Sequence, residues 1–293
     1  MELHGHSLRV IEANGQKKWN HQIKQELKMS ERIHVPTMAE MIAKGETPEI
    51  LFWVGCSGSF DDRAKKITKS IVKILHHCNV KYAVLGAEES CSGDPAKRAG
   101  NEFLFQMQAM QNIMVLNGYE IKRIVTGCPH CFNILKNEYP ELGGNYDVVH
   151  HAQLINELIK DGRLTIADGQ SFTGKRITFH DPCYLGRGND VYEAPRKVLQ
   201  QLDAELVEMK RCKQRGLCCG AGGAQMFKES EPGNKEINVE RTEDAIEVQP
   251  KVIATGCPFC NTMMTDGVKN FNKEGEIEVK DIAELIAEAA SLV

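Results

Sequence analysis

The chain predicts an α/β protein of two similar parallel-sheet lobes, formed by an internal duplication, with a polar N-terminal arm. Three observations carry that expectation. Short apolar runs alternate with stretches of helical period after residue 48, the pattern of parallel strands joined by crossover helices. Four cysteines recur at a nearly fixed offset. Cys56 and Cys183, like Cys91 and Cys218, stand 127 residues apart; Cys128 and Cys257, like Cys131 and Cys260, stand 129 apart. The surrounding text repeats too. Val125-Thr126-Gly127-Cys128-Pro129-His130-Cys131 matches Ala254-Thr255-Gly256-Cys257-Pro258-Phe259-Cys260, and Cys91-Ser92-Gly93 matches Cys218-Cys219-Gly220.

Each element follows from a local signal. Ile50–Gly55 is an apolar run that suits a buried strand. Phe60, Ala64, Ile67, Ile71, Ile74 and Leu75 then fall at three- and four-residue steps, one apolar face of a helix. Tyr82–Leu85 reads as a strand. Asp94-Pro95 reads as N-cap and first turn of a helix running to Asn117-Gly118. The apolar residues of Phe103–Leu116 are expected in the core. Ile121–Thr126 is a third strand, Cys128 opens a helix to Tyr139, and strand Asp147–Val149 precedes helix Ala152–Lys160. The second unit repeats the order: strand Arg176–His180, helix Val191–Leu202, strand Glu205–Met209, helix Lys235–Glu247, strand Val252–Ala254, helix Cys257–Val268, strand Ile277–Val279, helix Ile282–Ala290. The resulting boundaries are an arm over 1–48, a first unit over 49–160, a polar linker Asp161–Lys175 and a second unit over 176–293.

Composition narrows the function. The chain has 293 residues, 42% hydrophobic and 26% charged, with a net charge of −4. That excludes whole-chain disorder and argues against a nucleic-acid binder, which shows a basic excess. The longest apolar run, Ile50–Val54, is far short of the roughly 20 residues of a membrane helix. The start, MELHGHSLRV, carries no secretory signal, so a cytoplasmic location is expected. Eleven cysteines in a reducing compartment point to metal binding or redox chemistry rather than disulfides.

Sites in parallel α/β sheets form at the carboxyl ends of the strands. Cys56, Cys91, Cys128 and Cys131 are therefore expected at one rim, and Cys183, Cys218, Cys219, Cys257 and Cys260 at another. Three chemistries compete. A thioredoxin-like dithiol suits one CxxC at a helix start but leaves the upstream cysteines unused. Structural zinc is satisfied by four thiolates, as in the first set. The five thiolates of the second set exceed what one tetrahedral zinc takes and favour a polynuclear iron–sulfur cluster. Gly216, Gly220, Gly222 and Gly223 around Cys218-Cys219 let backbone N–H groups approach sulfur. Arg187, Arg211, Lys213 and Arg215 lie near these cysteines in sequence and are candidates to offset cluster charge or dock an acidic partner, or else form a solvated basic face.

The motifs C-x34-C-S-G-x34-C-x-x-C and C-x34-C-C-G-x36-C-x-x-C resemble the doubled cysteine-rich CCG domain of heterodisulfide reductase catalytic subunits and related bacterial iron–sulfur oxidoreductase subunits. Gly127-Cys128-Pro129-His130-Cys131-Phe132-Asn133, His180-Asp181-Pro182-Cys183 and Leu217-Cys218-Cys219-Gly220 carry the likeness, which spans roughly residues 50–290. The resemblance implies that Cys183, Cys218, Cys219, Cys257 and Cys260 hold a noncubane [4Fe-4S] cluster, with Cys218 and Cys219 as the catalytic pair. It implies a second cluster, or zinc, on Cys56, Cys91, Cys128 and Cys131, where Ser92 replaces the second cysteine of CCG. It further implies electron transfer with a ferredoxin-like or membrane quinone-linked subunit, or an electron-transfer flavoprotein, and peripheral attachment to the membrane through such a partner. Direct reduction of a small disulfide and a non-redox zinc scaffold are the alternatives.

The remaining candidates carry signals of their own. His180 reads as a structural histidine or a hydrogen-bond donor to sulfur, His130 as near the site, and His150-His151 as candidates facing it. Cys78 reads as a buried apolar residue and Cys212 as a free thiol. The Gly220–Gly223 run fails the dinucleotide fingerprint at Gln225, so no nucleotide or flavin is expected.

Overall fold

The computed structural model describes residues 33–166, 172–229 and 232–292. The first lobe contains strands β1 (Ile50–Trp53), β2 (Tyr82–Ala83), β3 (Arg123–Thr126) and β4 (Asp147–His150). The second contains β5 (Arg176–Phe179), β6 (Glu205–Leu206), β7 (Val252–Thr255) and β8 (Glu278–Asp281). The sheet orders β2-β1-β3-β4 and β6-β5-β7-β8 are identical, and every pairing is parallel. The duplication in the text is thus a duplication of topology.

One apolar layer joins the lobes. It is built from α3 (Asp62–His77) and α7 (His151–Lys160) of the first lobe with α8 (Glu193–Leu199) and α11 (Ile282–Ala289) of the second. Ile67, Ile71, Ile74 and Leu75 of α3 pack there, as their spacing predicts, with Phe52 and Phe179 from the two sheets. The outer face of the first sheet is covered by α5 (Glu102–Gly118), α6 (Pro129–Asn133) and α1 (Met38–Ala43). The outer face of the second is covered by α9 (Ile237–Glu247) and α10 (Pro258–Asn270).

Several elements differ from expectation. Helix α1 lies inside the stretch read as an arm. Thr37 and Glu40 form a capping box, and Met38 and Met41 are buried against the first sheet. The rest of that arm, residues 1–32, lies outside the described residues, as do 167–171 of the linker. The helix expected over residues 60–75 is two helices, α2 (Gly55–Phe60) and α3, because Asp61 accepts from Ala64 N and restarts the helix. The helix expected from Asp94 to Gly118 is also two. α4 (Asp94–Arg98) ends, and Asn101 Oδ1 accepts from Leu104 N at 3.1 Å to begin α5. Helix α6 is short and continues as a π turn over Ile134–Glu138. Along α5, Phe103, Met107, Met110 and Met114 are exposed rather than core.

Polar contacts lock the lobes together. Arg63 grips Glu284 with both terminal nitrogens, at 2.8 and 2.7 Å, and donates to Val279 O at 3.0 Å. His151 Nε2 bonds Asp281 Oδ1 at 2.9 Å. His150 donates Nε2–H to Gly256 O at 2.9 Å while its Nδ1 accepts from Ala152 N. Both histidines therefore act at the lobe interface, which accounts for their burial.

His150 gives the interface a pH dependence. Burial, reinforced by His151, drives its pKa well below the ordinary 6.5. Such a group binds fewer protons folded than unfolded, so its stabilisation is present above pH 6.5 and is lost as the pH falls below it. Urea unfolding of the metal-free protein should show stability dropping by up to ~1.4 kcal/mol per pH unit from this residue. His150→Gln should flatten that slope, and equal slopes in the two proteins would contradict the assignment.

Candidate metal centre

The first cysteine of each unit follows the unit's first strand, β1 or β5, and the CxxC pairs follow β3 and β7 at the carboxyl ends of the sheets. In both CxxC segments the first cysteine is the N-cap and proline takes N1. Proline lacks an N–H there, and the next free N–H groups turn back on the cap. Neither cysteine sulfur closes a cap hydrogen bond, but the Cys131 N–H acts to lower the Cys128 thiol pKa, and the Phe259 and Cys260 N–H groups act likewise on Cys257. The C-S-G and C-C-G glycines have matching backbones, with φ of 92° at Gly93 and 91° at Gly220. This left-handed turn aims the Gly93 N–H at Cys91 and the Gly220 N–H at Cys218 Sγ, the latter at 3.3 Å. Gly220→Ala would meet only ordinary contacts at Ile237 and Met263. Its penalty is therefore backbone strain, about 1–2 kcal/mol. An unchanged denaturation midpoint would contradict that reading.

The thiols converge in matching pairs. Cys56 contacts Cys91, as Cys183 contacts Cys218. Cys128 contacts Cys131, as Cys257 contacts Cys260. Ser92 Oγ donates to Cys131 Sγ at 3.5 Å, and Cys219 Sγ lies 3.3 Å from Cys260 Sγ. Ser92 therefore stands in the first site where Cys219 stands in the second. The CxxC pairs and Cys219 are buried, while Cys56, Cys91, Cys183 and Cys218 are half-buried.

The two rims are not separate. The Cys128 and Cys257 thiols interact across the lobe interface, so the two thiol sets form one sulfur-lined region. His130 sits at this junction. Its Nδ1 bonds Asp94 Oδ2 at 2.9 Å, and its ring packs on Tyr184 at 4.5 Å and Phe259 at 5.3 Å between centroids. A small pocket here is lined by Cys56, Cys91, Cys128, Cys131, His130 and Phe259, among others.

The electrostatics suit a cationic occupant. The Cys56 thiol, donating to Cys91, holds the Cys91 pKa down at about 7 against burial. Burial pushes Cys257 up, but Cys128, Cys260 and the backbone N–H groups hold it at about 5. Cys183 and Cys219 donate to Cys218, and with the Gly220 N–H they lower its pKa. The reverse interaction with Cys218, then burial, raises Cys183. All eleven cysteines are free thiols. Nine sulfurs this close cannot all ionise unless a positive centre is shared among them, and thiolates are the form that binds metal. The donor set therefore fits a thiolate-ligated metal or cluster. A ring nitrogen of His180 and the Sγ atoms of Cys219 and Cys260 all lie within 4.8 Å of one another.

Among the other candidates, three of the basic residues are engaged within the fold, while Cys78 and Cys212 are a buried residue and a free thiol as expected. Arg211 pairs with Asp244 and Glu240, Lys213 with Glu193, and Arg187 donates to Gly216 O, so these three tie their segments to other elements of the second lobe. Cys78 is buried in the shared apolar layer. Cys212 is half-buried, with burial raising its thiol pKa. Asp181 carries a role that no motif announced. It accepts from Arg196 at 2.8 and 3.0 Å and from Lys213 N at 2.7 Å, tying the Cys183 loop to the loop that leads to Cys218.

A duplicated parallel α/β scaffold carrying a paired cysteine centre defines the class of protein. The CCG cysteine-rich domain matches the chain twice, over residues 50–136 and 177–265, and the chain belongs to that family. It is 47% identical over 256 residues to a probable iron–sulfur-binding oxidoreductase, FadF, of Bacillus subtilis, covering 87% of this chain and 36% of that protein. It is 41% identical over 251 residues to an EtfAB:quinone oxidoreductase of Syntrophomonas wolfei, covering 84% and 35%. It is 32% identical over 255 residues to a component of the dihydromethanophenazine:CoB–CoM heterodisulfide reductase of Methanosarcina barkeri, covering 83% and 59%. The chain thus spans about a third of the length of the first two relatives. No described helix is long and apolar enough to cross a membrane.

Proposed function

We propose that this chain is the iron–sulfur electron-transfer part of a heterodisulfide-reductase-like oxidoreductase complex. In this reading Cys183, Cys218, Cys219, Cys257 and Cys260 hold a noncubane-type [4Fe-4S] cluster. Cys56, Cys91, Cys128 and Cys131 hold a second iron–sulfur cluster or zinc. The observation that carries the proposal is the meeting of the two thiol sets at Cys128 and Cys257. Were both sets to hold iron–sulfur clusters, this junction would bring the two within short electron-transfer reach. An iron–sulfur cluster, when bound, supplies one-electron transfer at a potential set by its thiolates and their hydrogen bonds.

The name of the Syntrophomonas wolfei relative supports a position between an electron-transfer flavoprotein and quinone, and the partner in this reading is a ferredoxin-like or membrane subunit. Cytoplasmic, peripheral attachment follows from such a partner. The protein's own groups shape the site: the Gly220 N–H and the helix starts at Cys128 and Cys257 stabilise negative sulfur, and Phe259 and Tyr184 shield the junction. Rapid reduction of the anaerobic protein by a reduced electron-transfer flavoprotein is the expected result. Failure of both a flavoprotein and a reduced ferredoxin to deliver electrons would contradict the proposal.

The His130–Asp94 pair beside the pocket favours a second reading, reduction of a small disulfide at the junction. Cleavage of S–S takes two electrons from the metal centres and two protons, one of which His130 is placed to deliver. Disulfide-dependent oxidation of a reduced dye tests this reading.

A further inference from the structure

We infer that His180 is a positioning residue of the second site: a neutral imidazole whose Nε2–H is a fixed hydrogen-bond donor to the sulfurs there, locked in that tautomer by Arg241. The inference rests on the iron–sulfur reading above and deepens it. His180 directly follows β5, three residues before Cys183, and is fully buried. Arg241 Nε–H donates to His180 Nδ1 at 2.9 Å. A guanidinium has donors only, so Nδ1 is the acceptor and the single proton of the neutral ring sits on Nε2. Arg241 is itself fully buried and held by Arg211 O at 2.6 Å and Asp244 Oδ2 at 3.1 Å.

His180 Nε2 is buried without a partner among the described residues. Buried N–H groups are seldom left so. The Cys219 and Cys260 sulfurs lie within 4.8 Å of a ring nitrogen; neither is bonded to Nε2 in this structure, and sulfur is the acceptor class the site offers. The same argument removes His180 as a metal ligand, because a protonated Nε2 has no lone pair to give.

The duplication supplies an independent comparison. Trp53 stands three residues before Cys56, as His180 stands before Cys183. Its indole Nε1 is likewise buried without a partner among the described residues, and the ring packs in one apolar cluster with Cys128 and Cys131. Tryptophan can donate but cannot ligate. What the two positions share is a buried ring N–H, so donation is the property the fold repeats. An N–H···S bond favours the more negative, reduced state of a thiolate-ligated centre, so His180 raises the reduction potential of the second site.

The test is an anaerobic redox titration, followed by electron paramagnetic resonance, of wild type, His180→Phe and His180→Gln, with iron and sulfide assayed in each. The Phe variant should keep its iron and sulfide and shift the second-site potential downward. The Gln variant, which retains a donor, should recover part of the shift. An unchanged potential in an iron-loaded Phe variant overturns the inference, as does loss of second-site iron from that variant while it stays folded, which would mark a ligand. Should His180→Phe not fold, the wild-type protein labelled with 15N-histidine decides. A weak histidine coupling to the reduced centre is expected; a strong, directly bonded coupling or none overturns it. Wild-type protein that takes up no iron would instead overturn the underlying iron–sulfur reading.

Discussion

Exchanging one atom between the two lobes should exchange the character of their metal sites. Cys219→Ser recreates at the second site what the first already has, a hydroxyl against the CxxC sulfur. The expected result is loss of the second-site paramagnetic signature and a fall in its iron and sulfide. Ser92→Cys does the converse. Ser92 is buried beside Cys131, so the new sulfur enters a position that Cys219 shows a thiol can fill. It should raise iron and sulfide at the first site. Both swaps change one heavy atom in a small side chain whose counterpart occupies the matching position of the other lobe, so the metal-free fold should be retained. Metal content that ignores both swaps would contradict the equivalence of the two positions.

The second large effect is structural. Asp181→Ala removes the carboxylate that clamps both terminal nitrogens of Arg196, a residue buried with it. Glu208 remains on Arg196, but it is partly exposed. Stranding a buried guanidinium should lower unfolding stability by about 3–5 kcal/mol. The same change frees Lys213 N and uncouples the Cys183 loop from the segment before Cys218. Metal retention should therefore fall with stability. Asp181→Asn keeps one acceptor and should fall between wild type and alanine. Chemical denaturation with parallel iron assay checks both; wild-type stability in Asp181→Ala would show that the clamp does not support the loop.

Much of this is legible in the text because the cysteines recur at a nearly fixed spacing. The strand order could follow from repeated βα units, and each CxxC sits after a strand as that pattern requires. The apolar spacing of α3 foretells its buried face. What the text cannot carry is the docking of one lobe on the other. Nothing local to Cys128 announces Cys257 as its neighbour, and nothing local to His150 or His151 announces Gly256 and Asp281. Those pairs arise only when α3, α7, α8 and α11 close into one layer. Helix breaks at Asp61 and Asn101 are local signals, both capping residues masked by the apolar period around them. Asp181 is within reach of the text: an aspartate between His180 and Pro182, two residues before a repeated cysteine, is a carboxylate placed to hold that cysteine's loop. The basic residues near Cys218 look like a docking face because their partners, Glu193, Glu240 and Asp244, are distant in sequence or lie on other elements.

The most direct measurement is elemental analysis of the anaerobically purified chain, with acid-labile sulfide determined on the same sample. The account predicts a coloured protein with iron and sulfide in comparable amounts, both reduced by Cys219→Ser. Colourless protein holding zinc and no labile sulfide would contradict it.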